Sequence, residues 1–302
     1  MLTLSNVVKY YGDFLALDNI SFEINSGDII AFLGPNGSGK TTTMRIITGF
    51  FAPTEGKVTF EGYDVTEMPE IVKSKIGYLP ENPPVYPELT VFEYLTFVAE
   101  LKKMPHNEIK KRVENVIEIT GLKERQNFLI SSLSKGYRQR VGIAQSIVNN
   151  PDLLILDEPT VGLDPLQVIE IRNLIKTLSQ EEKRTIILST HILSEASEIC
   201  EKAIIINKGK IVAYDRIENL RNLTSNFNIE ITIKRNSNVL KNKLMNLSSI
   251  TEIKEKDNGF IIFAKEDIRE EIVRLSVEAD SGLIEIKLNK TTLEEVFVKL
   301  VG

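Results

Sequence analysis

The stretch of sequence that decides the fold is GPNGSGKT, residues 34–41. It matches the pattern G-x-x-x-x-G-K-[ST], in which backbone N–H groups surround phosphate oxygens. An apolar run from Asp28 to Leu33 precedes it and is typical of a buried parallel strand. Residues 40–48 predict a helix that Gly49 ends. A strand, a glycine loop and a helix N-terminus in this order predict a site for the phosphates of a nucleotide.

Two side chains at the end of this loop have predicted roles beside a triphosphate. The ammonium group of Lys40 is expected to reach the β- and γ-phosphates, and the hydroxyl of Thr41 is expected to ligate Mg²⁺. The alternative is a glycine-rich turn without a ligand. That alternative is disfavoured because the full pattern lies between a strand and a helix, the context that the motif requires.

Composition limits the class of protein. The chain has 302 residues, of which 42% are hydrophobic, enough for one large or two ordinary domains with a substantial core. Its 37 basic and 42 acidic residues argue weakly against non-specific nucleic-acid binding. The single cysteine, Cys200, excludes an internal disulfide and fits a reduced, cytoplasmic setting. We predict no signal peptide, and no apolar run approaches the roughly 20 residues of a membrane span.

Hydrophobic periodicity and turn residues predict the order of the remaining elements. A helical stretch at about 86–150 interrupts the alternation of strands and helices. Within it, a capping box at Thr90–Glu93 opens one helix, and another is predicted from Lys110 to Thr120, with His106 in the polar loop before it. Strands are predicted at 1–8, 20–24, 57–60, 76–80, 153–157, 185–189, 203–206 and 211–214.

The composition of the chain changes after about residue 215, where Lys, Glu and Asn become more frequent. The patterns there predict elements in the order βαββαβ, which suggests a ferredoxin-like unit. A last helix carries apolar residues at helical spacing. These elements are expected at 228–234, 237–247, 250–256, 259–264, 267–280, 283–288 and 292–300.

Acidic residues end the apolar strand at 153–157 and supply a second group of candidate site residues. Asp157 is expected to bind Mg²⁺, directly or through water, and Glu158 to accept a proton from, or polarise, an attacking water. His191 follows the strand at 185–189, and strand ends of one sheet edge lie together in open α/β sheets. The alternatives are two solvated acids and a structural histidine. The phosphate loop nearby favours the functional interpretation.

A helix that begins after Ser134 contains a glycine, Gly136, in its first turn. Ser134 is a natural N-cap, which gives a purely structural explanation. Gly136 lowers helix stability, which suggests that its bare backbone is needed. Since helix N-termini attract anions, this tip is a second candidate phosphate contact.

Together these motifs resemble those of the ATP-binding subunits of ABC transporters, over about residues 1–220. The loop at 34–41 resembles their Walker A motif. Leu133–Gln139 resembles the signature motif, usually Leu-Ser-Gly-Gly-Gln, and Leu153–Glu158 resembles Walker B with the catalytic glutamate. Gly162–Asp164 is similar to the D-loop of the family.

Two further positions match the family, and two depart from it. His191 resembles the switch histidine. By itself Tyr11 is interpreted most simply as a strand end with an exposed ring, but it stands where the family has an aromatic residue that stacks on adenine, and the resemblance favours that role. Glu81 replaces the usual glutamine, which keeps a possible Mg²⁺ ligand but removes a hydrogen-bond donor. In the signature motif, Lys135 and Tyr137 replace glycine and glutamine, whereas Ser134 and Gly136 are retained.

The resemblance implies an α/β cassette of the P-loop NTPase class, with a mixed sheet, an antiparallel β subdomain and the helical subdomain. It also implies a homodimer in which the signature motif of one copy covers ATP and Mg²⁺ held by the other. Asp164 is then expected to couple the two sites. The implied nucleotide contacts are Tyr11, Gly34, Pro35, Asn36, Gly37, Ser38, Gly39, Lys40, Thr41, Thr42, Glu81, Ser134, Gly136 and Asp164. The implied metal ligands are Thr41, Asp157 and Glu81, and the implied catalytic residues are Glu158, His191 and Lys40.

We therefore expect a cassette at residues 1–220 and an α+β accessory domain at 221–302, whose end at Thr292–Phe297 resembles that of subunits serving small two-component exporters. The expected protein is an ATPase, peripheral on the cytoplasmic face of a membrane through a separate integral permease, without a nucleic-acid partner. One alternative is a soluble ABC ATPase acting on nucleic acid or the ribosome, whose relatives usually carry two cassettes or a long coiled-coil insertion. Another is a nucleotide-gated regulator without hydrolysis.

Overall fold

The computed structural model describes residues 1–180, 184–222, 227–289 and 292–302. Contacts divide the chain into two compact units, Met1–Ile217 with Val301 and Glu218–Leu300 with Gly302. The functional assignment of residues 1–220 and 221–302 as cassette and accessory domain stays a prediction.

The first unit combines two sheets with helices. Its strands are β1 (Leu2–Tyr11), β2 (Phe14–Ile24), β3 (Ile29–Leu33), β4 (Glu55–Phe60), β5 (Tyr63–Asp64), β6 (Ile76–Leu79), β7 (Leu153–Asp157), β8 (Thr185–Thr190), β9 (Lys202–Asn207) and β10 (Lys210–Arg216). Its helices are α1 (Lys40–Ile47), α2 (Pro69–Lys75), α3 (Val91–Leu101), α4 (His106–Ile119), α5 (Lys135–Ile147), α6 (Pro165–Gln180) and α7 (Leu193–Ile199), and α8 (Ile217–Asn222) begins at the boundary.

The larger sheet has the order β10-β9-β3-β8-β7-β6. β10 pairs antiparallel with β9, and the other neighbouring pairs are parallel. Every residue of β3, β7 and β8 is buried, as expected for parallel strands covered on both faces. The loops that leave β3, β7 and β8 therefore meet at one edge of the sheet, and this confirms the predicted placement of the phosphate loop beside both acids and His191.

The smaller sheet is antiparallel, with the order β2-β1-β4-β5. Its apolar residues share a core with α1 and the larger sheet, including Leu4, Ile20, Phe32, Met44 and Phe60. The predicted first strands were too short. β1 continues to Tyr11 and pairs with Phe14 across Gly12, whose φ of 58° closes the hairpin.

The helical stretch contains α3, α4 and α5, as predicted. Thr90 and Glu93 form the predicted capping box of α3, because each side chain bonds the backbone N–H of the other. The predicted start of α4 at Lys110 was wrong, because the helix already begins at His106. This residue is exposed to solvent, but it lies in the helix and not in the predicted loop. Pro105 fixes the chain before the first turn, and the buried face of the helix already begins at Ile109.

The second unit has the predicted βαββαβ order. It consists of β11 (Phe227–Ile233), α9 (Ser237–Leu244), β12 (Ile250–Lys256), β13 (Gly259–Ala264), α10 (Arg269–Glu278) and β14 (Leu283–Asn289), followed by α11 (Leu293–Val301). Its antiparallel sheet has the order β12-β13-β11-β14, as in ferredoxin-like folds. Ile229, Ile231, Ile262, Leu240 and Ile272 contribute to its core. In the residues that the structure describes, no helix is both long and apolar enough to cross a bilayer.

Candidate active site

The loop between β3 and α1 is held close to neighbouring strands by its glycines. A Cβ atom on Gly34 would lie 2.4 Å from the carbonyl oxygen of Ile206, and one on Gly39 would lie 2.7 Å from the Cδ2 atom of Leu17. Gly37 and Gly39 adopt φ values of 76° and 111°, in the left-handed region that favours glycine. The loop backbone can follow this path only without side chains at these positions.

The remaining loop residues differ in exposure. Asn36 and Gly37 are exposed, Pro35 and Thr42 are half-buried, and Ser38 is buried. The hydroxyl of Ser38 has no hydrogen-bond partner among the described residues. A buried polar atom without a partner is costly unless a ligand satisfies it, so the loop fits a hydrogen-bonding ligand.

Lys40, the first residue of α1, is only 7% exposed. Its Nζ atom donates to the carbonyl oxygens of Gly34 and Pro35, at 2.8 and 3.3 Å. Burial lowers the pKa of Lys40, because the charged form is desolvated. Three negative charges oppose this decrease of the pKa. In order of effect, they are the carboxylates of Glu158, Asp157 and Glu81. The ammonium group is thus held near three carboxylates at the loop.

The predicted metal ligands Thr41 and Asp157 are in contact. The hydroxyl of Thr41 donates to Oδ2 of Asp157 at 3.2 Å, and Asp157 is 1% exposed. Its other oxygen, Oδ1, is buried and has no hydrogen-bond partner among the described residues. Burial raises the pKa of Asp157, and the hydroxyl groups of Ser189 and Thr41 oppose this increase. An unpaired carboxylate oxygen beside a hydroxyl fits Mg²⁺, which binds oxygen ligands and would neutralise charge on phosphate oxygens.

Glu158 and His191, both implied catalytic residues, are in contact. The Nδ1 atom of His191 lies 2.9 Å from both carboxylate oxygens of Glu158. Glu158 is largely buried and has a φ of 51°, which is unusual for a residue with a side chain. Its backbone N–H donates to the carbonyl oxygen of Ser189, at 2.8 Å. β7 and β8 together therefore hold a carboxylate, a possible proton acceptor, against an imidazole beside the phosphate loop.

Tyr11 and Glu81 are exposed residues outside the contacts described above. Tyr11 ends β1, is 40% exposed and contacts the ring of Phe51 edge-on, with ring centres 5.7 Å apart. The Nζ atom of Lys9 lies 5.4 Å from the centre of the Tyr11 ring. Glu81 is exposed beyond the end of β6, and its link to the site is the charge that acts on Lys40.

The signature residues form a second cluster, with the D-loop of the same chain. Ser134 is the N-cap of α5 and accepts a hydrogen bond from the N–H of Tyr137, so its structural role is confirmed. A Cβ atom on the buried Gly136 would lie 2.6–2.8 Å from the carboxamide of Gln167. The backbone N–H of Gln167 in turn donates a hydrogen bond to Oδ1 of Asp164, at 2.9 Å. Close packing within the chain therefore explains the glycine without a nucleotide.

Sequence reasoning missed Gln167 and the buried Glu195. Glu195 accepts a hydrogen bond from the hydroxyl of Thr160. One signal was available, because Glu195 falls beside Ala196 in the apolar register of α7, where a charged residue needs a partner. Nothing in the sequence indicated that Gln167 would cover Gly136.

A phosphate loop between β3 and α1, together with a lysine, a hydroxyl and carboxylates at the ends of parallel strands, defines a nucleotide-binding protein of the P-loop class. The chain belongs to the family of ABC transporter ATP-binding proteins. The family model described as ABC transporter matches residues 17–161. The bacitracin transport ATP-binding protein BcrA of Bacillus licheniformis is 32% identical, with 100% of this chain and 97% of that protein covered. The linearmycin resistance ATP-binding protein LnrL of Bacillus subtilis is 31% identical, with 100% and 98% covered.

Solved structures confirm the predicted fold class. The dimeric post-hydrolysis state of the ATP-binding cassette MJ0796, bound to ADP and Pi, has a TM-score of 0.65 and 30% identity. This match covers 72% of the present chain and 98% of that cassette, whereas the two sequence relatives match along the whole chain.

Proposed function

We propose that this chain is the ATP-hydrolysing subunit of an exporter and drives a separate integral membrane permease. The observation that carries the proposal is the contact between Glu158 and His191, beside Lys40 and the Thr41–Asp157 pair. Glu158 accepts the proton of the attacking water, His191 stabilises the charge that develops on the γ-phosphate, and Lys40 binds the β- and γ-phosphates. The similarity to the bacitracin transport protein BcrA over the whole chain supports a role in transport. The resemblance of the end at Thr292–Phe297 to exporter subunits supports export as the direction.

The active form is a homodimer with two ATP sites. In each site, residues 34–42 of one copy hold the phosphates, Tyr11 stacks on the base, and Thr41, Asp157 and Glu81 supply oxygen ligands for Mg²⁺. Ser134 and Gly136 of the other copy meet the γ-phosphate, and Asp164 couples the sites. Dimeric cassettes among the structural neighbours support this assembly. The permease contacts the helical stretch at 86–150 and the loop at 80–89, and holds the chain at the cytoplasmic face of the membrane.

The soluble alternative, an ABC ATPase acting on nucleic acid or the ribosome, is not favoured by any of the relatives named above. The regulator without hydrolysis is separated from our proposal by the ATPase activity of the purified chain. Steady-state turnover per chain should rise with protein concentration, since each site needs residues from a second copy.

Glu158→Gln tests the proposed chemistry. It keeps the size of the side chain but removes the proton acceptor, so we expect turnover to fall about 100-fold or more, with ATP binding retained and an ATP-dependent dimer on size-exclusion chromatography. Glu23→Gln, at an exposed position of β2 outside the proposed permease contact, is the matched control and should behave as wild type. Unchanged turnover in Glu158→Gln contradicts the role of Glu158.

The direction of transport is tested in inside-out membrane vesicles that contain this chain and its permease, with bacitracin as the first transport probe. Export predicts that external ATP drives the probe into the vesicle lumen, and that Glu158→Gln abolishes this accumulation. ATP-driven loss of the probe from preloaded vesicles would instead identify an importer.

A further inference from the structure

Glu195 is a buried carboxylate that the chemistry proposed above does not use. It lies on α7 and is 2% exposed. Burial raises its pKa. Buried acids are retained in proteins when specific partners hold them, so the contacts of Glu195 indicate its role.

The partners of Glu195 come from two other segments. Its Oε2 atom accepts a hydrogen bond of 2.6 Å from the hydroxyl of Thr160, a buried residue in the loop after β7. Its Oε1 atom lies 3.8 Å from a terminal nitrogen of Arg172, on α6. The other terminal nitrogen of Arg172 donates to Glu198 at 2.6 Å, at the surface. The hydrogen bond from Thr160 joins α7 to the loop that begins with Glu158.

These contacts close a ring of residues that includes the proposed catalytic pair, Glu158 and His191. Thr160 follows Glu158 by two residues, and Glu195, in the first turn of α7, follows His191 by four. The Thr160–Glu195 hydrogen bond closes the ring on one side, and the contact of His191 with Glu158 closes it on the other. Glu158 has a φ of 51°, a conformation that persists only where surrounding contacts hold it. The hydrogen bond to Glu195 is such a contact, and it is buried.

We propose that Glu195 is a positioning residue, which holds the Thr160 loop against α7 so that Glu158 and His191 keep their contact during ATP hydrolysis. The inference rests on the proposed function, since it assigns Glu195 to the reaction at Glu158. A small displacement of reacting groups is enough to reduce the rate strongly, because catalysis depends on orientation. Loss of the hydrogen bond should therefore lower kcat more than it changes the KM for ATP.

The matched variants are Thr160→Val and Thr160→Ser. Valine keeps the shape of threonine but removes the hydroxyl, whereas serine keeps the hydroxyl. We expect kcat of Thr160→Val to fall roughly 10- to 100-fold, with the KM for ATP within about twofold of wild type because only the orientation of the pair changes. Thr160→Ser should keep most of the wild-type kcat. Glu198→Gln, an exposed glutamate on the same helix, should leave kcat unchanged.

A second measurement does not depend on activity. Amide hydrogen exchange of residues 158–163 in the nucleotide-free protein should be about tenfold faster in Thr160→Val, since a buried hydrogen bond that closes the loop is lost. Thr160→Ser should exchange at the wild-type rate.

Wild-type kcat and wild-type exchange in Thr160→Val would overturn the inference. So would equal losses in Thr160→Val and Thr160→Ser, because serine retains the donor. A wild-type chain that hydrolyses no ATP would overturn the proposed function instead. In that case the exchange rates of the two variants still decide whether Glu195 holds the loop.

Discussion

Asp157→Asn is expected to make the nucleotide-free protein more stable while it abolishes Mg²⁺-dependent hydrolysis. The Asp157 carboxylate is buried, its pKa is raised chiefly by desolvation, and the charge of Glu158 raises it further. Asparagine retains an oxygen that can accept the hydrogen bond from Thr41 and removes the buried charge. It provides only a neutral oxygen and an amide nitrogen where Mg²⁺ prefers a carboxylate.

The size of the effect follows from Oδ1 of Asp157, which is buried and has no hydrogen-bond partner in the part of the chain that the structure describes. A buried polar group without a partner costs about 1–3 kcal/mol, and more when it is charged. The amide nitrogen of asparagine is still a buried polar group in the same place, so only part of this cost is relieved. We expect a net gain of about 1 kcal/mol in the free energy of unfolding, or about 2–4 °C in Tm for a chain of this length.

The gain should depend on pH in a defined direction. Because the folded-state pKa of Asp157 lies above its ordinary value of 3.8, the folded protein binds the proton more tightly than the unfolded chain. The destabilising contribution of Asp157 is therefore fully present at neutral pH and decreases as the pH falls through the folded-state pKa towards 3.8. The difference in Tm between Asp157→Asn and wild type should shrink over the same interval.

Differential scanning calorimetry in EDTA without nucleotide, at pH 7.5 and at successively lower pH, measures both effects. Asp152→Asn is the control, because this carboxylate is half exposed and lies 3.3 Å from Lys75 at the surface. Its effect should stay within about 0.5 kcal/mol. Mg²⁺ with ATP should raise the Tm of wild type more than that of Asp157→Asn. A lower Tm for Asp157→Asn at pH 7.5, or a gain that grows in acid, would refute the reasoning.

Three other substitutions test separate parts of the structure. Thr90→Ala removes the capping box of α3 and should lower the free energy of unfolding by about 1 kcal/mol in urea titrations, with little change in ATPase activity. Gly162→Ala should cost about 1–3 kcal/mol, since φ is 70° and the new Cβ would lie 2.1 Å from Nζ of Lys135; combining it with Lys135→Gly should recover only the part due to this contact. Tyr11→Ala should raise the KM for ATP about fivefold if the ring stacks on the base, whereas Tyr11→Phe should not; equal KM values in steady-state assays would contradict stacking.

The fold and the centre of the site could be predicted because short-range patterns encode them. The phosphate loop needs glycines and a lysine at fixed spacing, and the strands before Glu158 and His191 contain the apolar runs Leu153–Leu156 and Ile186–Leu188. Parallel strands that end at one sheet edge then bring these residues together, without any further information from the sequence. The alternation of apolar residues after residue 227 likewise sufficed for the ferredoxin-like order.

The features that sequence reasoning missed depend on long-range contacts. The helices α2 and α7 were not predicted, because helices of seven residues are stabilised mainly by packing. The need for a glycine at position 136 was attributed to a phosphate contact. The structure also places the carboxamide of Gln167 against Gly136, which explains the glycine by packing. The partner of Glu195 is Thr160, 35 residues away in the chain. No local pattern records such a pair.

The loop from Asp157 to Asp164 connects the two clusters of site residues within one chain. Asp157 faces the phosphate loop, Glu158 faces His191, and Thr160 bonds to α7. Gly162 then lies against the signature lysine, and Asp164 bonds to the helix residue that covers the signature glycine. Because Glu158 has a positive φ, which is strained in a residue with a side chain, the loop has little freedom to adjust at its first turn. A displacement at the phosphate end should therefore reach the signature end of the same chain through this loop, without passing through the core.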